Sequence, residues 1–379
     1  MGATGARALV SGDLLVRCVA EIAAADQFIL GRRVAELELK VAGLAGWGHA
    51  IASASDTGAM LLALTAMGVG SADEVVVPAF GGMPAATAVV LTGGTPVFAD
   101  VDTATMSLDP EAVEAAVGPR TTGLLWSRLL RSAESARVLR ELTRRRGLFM
   151  LGDTLMMPDA GNTGDAAVAP GYRRGASRLT ERAAACAFSL GPESSFGGCA
   201  DAGMVVTDDG QLADACRGLR NHGQRRRFVH DRIGFNCRMD EIAAAYLLHR
   251  IPGLQAELAT RQSLAAHYAE RLRPLAPQVR IPAQEVCSSA GQGYVILASR
   301  RDELRDYLSS EGIGAGACPA VPLHLEPAFA RLGYKPGQFP GAEFLARECL
   351  ALPMHEGLRL ADIRHVAGKI TCFYQGNGA

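Results

Sequence analysis

Lysine is scarce in this chain of 379 residues: only Lys40, Lys335 and Lys369 occur, so nearly all of the basic charge is arginine. Any chemistry that needs a lysine amine must draw on one of those three. Long basic tracts are missing as well, and with a net charge of −1 nothing is built to track a phosphate backbone, which excludes a nucleic-acid partner. No apolar run reaches membrane-spanning length, and no charged start followed by an apolar segment marks a signal peptide. The expectation is a cytoplasmic protein with no membrane partner. The nine cysteines are scattered without zinc spacing, so no metal is expected. They read as reduced thiols, mostly in apolar contexts (Cys18, Cys186, Cys216, Cys349, Cys372). Against these absences stands 49% hydrophobic content, enough for a large core, in a length that suits one large domain with a smaller one attached.

Residues 13–39 carry apolar side chains at helical spacing (Leu14, Leu15, Cys18, Val19, Ile22, Phe28, Val34, Leu37) and predict one N-terminal helix. A strand over 49–54 then delivers Ser55-Asp-Thr-Gly58 to a helix over 59–67, whose exposed amide donors can hold a phosphate. Asp56 either opposes such an anion or caps the helix. Buried strands follow over 74–80, 95–102, 122–126 and 148–151, separated by helices over 83–91, 110–117 and 135–146. The last of these strands leads to Asp153, an acid placed as a helix cap or a general base. Residues 159–182, rich in Gly and Arg, read as a mobile surface excursion. Phe188-Ser-Leu-Gly-Pro-Glu-Ser-Ser-Phe-Gly-Gly-Cys-Ala-Asp201 is a loop between two short buried strands. Arg225-Arg-Arg-Phe-Val-His-Asp-Arg232 is a basic cluster, read either as a solvated loop or as an anion clamp. A helix over 256–272 connects to a smaller C-terminal unit with a strand over 293–298 and a helix over 301–311.

These segments carry a family pattern. Phe188, Ser189, Pro192, Gly197, Asp201 and Gly203 fit the active-site segment Phe-Ser-x-x-Pro-x-Lys of the DegT/StrS family of sugar aminotransferases, which the chain resembles from about residue 30 onward. Arg220-Asn-His-Gly223 and Ile233-Gly-Phe-Asn-Cys-Arg-Met-Asp-Glu241 fit two further signatures, and Val321-Pro-Leu-His324, Gly337-Gln-Phe-Pro340 and Cys349-Leu-Ala-Leu-Pro-Met354 fit markers near the end. The resemblance implies an α/β fold-type-I aminotransferase: a large domain with a mostly parallel sheet flanked by helices, here residues 1–250, and a smaller C-terminal α/β domain, here 251–379. It implies that Ser55 and Thr57 line the phosphate site of pyridoxal phosphate (PLP), that Asp153 pairs with the pyridine nitrogen, and that Asn236 reaches the partner's cofactor in a homodimer with composite sites.

The departures fall where that cofactor would sit. Ser194 occupies the place of the Schiff-base lysine, and a hydroxyl cannot form an imine. Asp56 replaces a phosphate-loop glycine, Gly82 an aromatic ring, and residues 127–131 and 156–158 lose the family's polar residues. The expected function is therefore not that of a working PLP transaminase. It is a PLP-independent acid–base enzyme acting on a sugar, cyclitol or other small intermediate of natural-product biosynthesis, with Asp153, Ser194, Glu193, His222 and His324 as catalytic candidates and Arg128, Arg131 and Arg226 as anion contacts. No cofactor is expected. The alternatives are PLP or pyridoxamine phosphate held without a covalent link, as in a dehydrase-like enzyme, and a non-catalytic paralogue paired with an active aminotransferase.

Overall fold

The computed structural model describes residues 11–126, 133–153, 184–282, 293–355 and 357–376. In chain order the helices are α1 (Gly12–Ala25), α2 (Arg32–Ala45), α3 (Asp56–Ala66), α4 (Met83–Leu91), α5 (Pro110–Ala116), α6 (Ala133–Arg146), α7 (Gly210–Leu219), α8 (Glu241–Arg250), α9 (Leu254–Leu272), α10 (Arg301–Ser310), α11 (Pro340–Glu348) and α12 (Leu360–Tyr374). The strands are β1 (His49–Ser53), β2 (Glu74–Pro78), β3 (Thr95–Ala99), β4 (Val101–Asp102), β5 (Ser107–Leu108), β6 (Thr121–Trp126), β7 (Phe149–Gly152), β8 (Ala185–Ser189), β9 (Gly203–Thr207), β10 (Gln224–Arg226), β11 (Val229–His230), β12 (Val279–Arg280), β13 (Tyr294–Ala298), β14 (Gly316–Ala317) and β15 (Cys349–Leu352).

Seven strands form one sheet in the order β1-β9-β8-β7-β6-β2-β3. The run from β8 to β3 is parallel. β9 is antiparallel to both neighbours. Strands buried on both faces read as continuous apolar runs, which is why Val75-Val-Val77 carries no polar alternation. Val75 and Val77 pack in one core cluster with Ile51, Leu125, Leu151 and Val205. Val76 points the other way, with Ala52, Leu124, Met150 and Met204. Helix α3 is buried over most of its circumference, as its apolar sequence Ala59-Met-Leu-Leu-Ala-Leu64 demands. Gly123 is required within β6, since a Cβ there would lie 2.4 Å from the ring of Phe149 on the adjacent strand.

Four antiparallel strands form a second sheet in the order β12-β13-β15-β14. One face buries Tyr294 and Ile296 against Tyr268 of α9 and Ile363 and Ile370 of α12, with the Tyr268 and Tyr294 rings stacked at 4.7 Å. The other face sends Val295 and Leu297 into the cluster that covers the large sheet. The chain is thus an α/β fold with a mostly parallel central sheet, flanking helices and a smaller sheet docked on them.

The single helix expected over 13–39 is two. Asp26 and Leu30 take left-handed backbone angles, and the segment between α1 and α2 is drawn across to α8, where the Glu241 amide donates to Phe28 O. Glu241, 2% exposed, accepts from the amides of Gly31, Arg33 and Val34. A tertiary carboxylate therefore starts α2, whose own N-cap residue is a glycine with no side-chain bond. Among the described residues no helix is long and apolar enough to cross a membrane.

Candidate active site

The carboxyl ends of the parallel strands and the amino end of α3 assemble the site. Ser55 is extended and caps α3, its hydroxyl oxygen accepting from Gly58 N. Asp56 Oδ1 accepts from Thr57 N at 2.6 Å and from the Thr57 hydroxyl at 3.4 Å. The acid thus occupies an amide donor at the start of α3. Ser55, Asp56 and Thr57 are all half-buried. β9 begins directly against this turn: a Cβ on Gly203 would meet Ser55 O at 2.0 Å. Glu38 and Arg220 bracket the backbone of one residue of β1, Ala52. Glu38 Oε1 accepts from Ala52 N while Arg220 donates to Ala52 O at 2.8 Å and to Glu38 at 2.5 Å. The next peptide is held by Ala54 N donating to Cys237 O. The family-like Arg220 and Cys237 segments are therefore the buttress of the α3 turn.

The loop after β8 is closed by its own backbone. Leu190 N donates to Ala202 O and Gly198 N to Leu190 O, and Phe196 stacks on Phe188 beneath it. Within it the Ser194 hydroxyl donates to Gly191 O at 2.7 Å, so it is turned back on its own loop. Its neighbour Ser195 has a buried Oγ with no hydrogen-bond partner among the described residues. Glu193 is exposed. The three lysines lie on other segments: Lys40 pairs with Glu36 at 3.3 Å, Lys369 pairs with Glu311 at 2.5 Å, and Lys335 is exposed in the loop before α11.

Asp153 lies half-buried just past the end of β7, its amide donating to Trp126 O of the neighbouring strand. Gly82 precedes α4 and is exposed. A Cβ there would meet only Pro84 Cδ among the described residues, at 3.3 Å. Arg128, Arg131 and the altered residues 127–131 and 156–158 lie outside the described residues, as does the Gly- and Arg-rich segment 159–182.

The remaining candidates lie on other segments of the chain. His222 is exposed, with left-handed backbone at φ 59°. Its main chain is spent in bonds from its own amide to Phe235 O and from the His230 ring to its carbonyl. Arg226 is exposed in the β10–β11 hairpin. Asn236 is also exposed, and its Oδ1 accepts from Arg238 at 3.0 Å. His324 has a fully buried side chain, with Nε2 3.2 Å from Glu343 Oε1, edge-on to Phe339 at 4.7 Å. Burial holds its pKa below the usual histidine value, against the opposing pull of Glu343 and Asp100. Sequence reasoning missed Ser195, the Glu38–Arg220 buttress and the capping role of Glu241. Only the last had a local signal, an acid beginning a helix inside a motif already singled out.

Known proteins resemble the chain over most of its length. Residues 12–371 match the DegT/DnrJ/EryC1/StrS aminotransferase family. The chain is 34% identical over 337 residues, 89% of its length and 86% of the relative's, to the dTDP-3-amino-3,4,6-trideoxy-alpha-D-glucose transaminase of Streptomyces venezuelae. It superposes on DesV of S. venezuelae, solved in complex with a ketimine intermediate, with TM-score 0.83 and 32% identity over 95% of this chain and 94% of that one. At 23% identity and TM-score 0.81, over 95% of this chain and 83% of that one, NtdA of Bacillus subtilis, solved with bound PMP, shares the fold.

These findings correct the expectation that no cofactor is bound. Amino-group transfer of the kind those relatives are named for relies on a pyridoxal-type electron sink, and chains of this fold are seen carrying it. The residues present fit such a group: Asp153 lies at the end of β7, Ser55 and Thr57 lie at the α3 turn, and the buried Ser195 hydroxyl leaves hydrogen-bonding capacity in the loop after β8.

Proposed function

The chain belongs to the DegT/DnrJ/EryC1/StrS aminotransferase family, and on that premise we propose that it binds pyridoxal or pyridoxamine phosphate non-covalently and acts on a sugar, cyclitol or related small intermediate of natural-product biosynthesis by acid–base chemistry, without lysine-dependent turnover. The observation that carries the proposal is Ser194, bonded to Gly191 O where an amine would be needed, with every lysine of the chain placed elsewhere. When bound, the cofactor supplies an electron sink that acidifies carbon–hydrogen bonds next to it. Asp153 is the acid to hold its ring nitrogen. Ser55 and Thr57, with the first amides of α3, are the groups to hold its phosphate. Of the acid–base candidates, Glu193 is the exposed carboxylate on the Ser194 loop, free to exchange protons with solvent. His324 is committed to Glu343 and serves as a proton carrier only if that contact opens.

Phe228 and Ile233, 80% and 94% exposed, flank the stretch that leads to Asn236 and favour a second chain on this face. A homodimer in which Asn236 completes the partner copy's site follows from that reading. Pairing with an active aminotransferase paralogue through the same face is the alternative, distinguished by co-expression and native mass measurement.

The experiment is an absorbance titration with PLP and pyridoxamine phosphate, followed by dialysis and borohydride. Retained absorbance that borohydride leaves dissociable on denaturation is expected. A borohydride-fixed adduct on Lys40, Lys335 or Lys369 overturns the proposal, and so does the absence of any binding.

A further inference from the structure

The edge strand β14 ends at a pair of thiols. Gly316 faces Ala351 and Ala317 faces Leu350 on β15, and one further step in the same register sets Cys318 opposite Cys349. Both are free. They are 8% and 0% exposed and share a core cluster with Val295, Leu297, Leu323 and Phe329. The Cys318 thiol lies near enough to that of Cys349 to add to the rise of its pKa. Residues directly opposed on antiparallel strands have Cβ atoms within about 4.5–5.5 Å, and a disulfide needs them only slightly closer, at about 3.5–4.5 Å.

The surroundings separate these thiols from the chain's other buried cysteines. Burial raises the pKa of the Cys349 thiol, as it raises that of Cys216, to about 12, so each is inert alone. Cys318, however, follows a two-residue strand at the edge of its sheet, where few ladder bonds oppose local opening. Five residues on, the Leu323 amide donates to Ala79 O just beyond β2, beside Phe80 and the exposed Gly82. Cys318 therefore sits at the root of the segment that joins the small sheet to the rim of the candidate site.

We propose that Cys318 and Cys349 are a redox pair, oxidised by a peroxide to a disulfide that ties β14 to β15 and clamps the 319–324 segment. The electrons balance without a cofactor. Hydrogen peroxide takes two electrons from the Cys318 sulfur, its O–O bond breaks, and one water leaves as a sulfenic acid forms. The Cys349 sulfur then attacks Cys318, the S–O bond breaks, and the thiol proton leaves with the hydroxyl as a second water.

The test treats the full chain with hydrogen peroxide, blocks remaining thiols with N-ethylmaleimide, and maps tryptic peptides by mass spectrometry. Peptide 306–331 is expected joined to peptide 348–359, lighter by two hydrogens and separated by dithiothreitol. The thermal midpoint of the oxidised chain should rise by several degrees, whereas C318A, altered at the more accessible thiol, shows neither change. C349A serves as the second variant and should likewise give no link. Maleimide on both thiols after oxidation, or a link from either to another cysteine, overturns the pairing. A link with no change in midpoint overturns the clamp.

Discussion

Asp56→Gly should convert the α3 turn into a stronger phosphate site. In the wild-type chain Asp56 Oδ1 holds Thr57 N at 2.6 Å and also takes the Thr57 hydroxyl, so a phosphate must displace a carboxylate from the donors it uses. A hydrogen bond to a charged group contributes about 1.5–3 kcal/mol, and each 1.4 kcal/mol is about tenfold in affinity. Breaking it therefore weakens a phosphorylated ligand by roughly 10- to 100-fold. Residual repulsion between the displaced acid and the anion adds to that in the same direction. Asp56→Asn keeps an acceptor oxygen but removes the charge, and should recover part of the gain. The assay is a spectral titration of wild type and both variants with pyridoxal phosphate and with pyridoxal, which lacks the phosphate. Affinity should rise for the first ligand in the order wild type, Asn, Gly and stay level for the second. Equal changes for both ligands, or no gain with glycine, would refute the reasoning, because the carboxylate would then not be competing for the phosphate position.

Three further outcomes concern the scaffold. Glu241→Ala orphans the amides of Gly31, Arg33 and Val34 at the start of α2, the first two half-buried and the last buried, and should cost about 3–5 kcal/mol, with Glu241→Gln costing less because one acceptor oxygen remains; urea midpoints would check both, and a loss below about 0.5 kcal/mol for alanine would contradict the capping role. Arg220→Met leaves Glu38 buried without its partner and should cost about 3–5 kcal/mol, while the double change Glu38→Met with Arg220→Met should recover much of it; a double variant as unstable as the sum of the singles would rule out the pair as a unit. For His324, burial lowers the folded-state pKa, so the unfolded chain takes the proton first. Its contribution is complete above the ordinary histidine value of about 6.5 and is lost as pH falls below it through the depressed one. His324→Gln should therefore flatten the fall of the thermal midpoint between pH 7 and pH 5.5, and an unchanged slope would count against it.

Much of the fold was legible because its signals are local. Buried runs such as Val75-Val-Val77 and caps such as Asp109 before Pro110 and Asp240 before Glu241 mark elements within a few residues. The break between α1 and α2 was not legible, because its cause is Glu241, more than 200 residues away, accepting amides that would otherwise continue a helix. The site was readable in part for the same reason. Ser194 is proposed as a site residue from its flanking motif alone. Its neighbour Ser195 could be recognised only once the loop was seen to close over a hydroxyl with nothing to bind.

The recognisable motifs thereby acquire a physical reading that differs from their usual one. Arg220 and Cys237, within two of the most family-like stretches, hold the backbone at Ala52 and Ala54. Asp240 and Glu241 start α8 and α2. These contacts are required by any chain that folds this way, whatever chemistry it performs, so their retention reports the scaffold and not the reaction. Among the described residues the side chains of Ser194 and Asp56 bond only their own loop and neighbour, and Gly82 faces solvent. On the proposed reading, changes at those three positions would alter what the pocket can hold while leaving the fold intact.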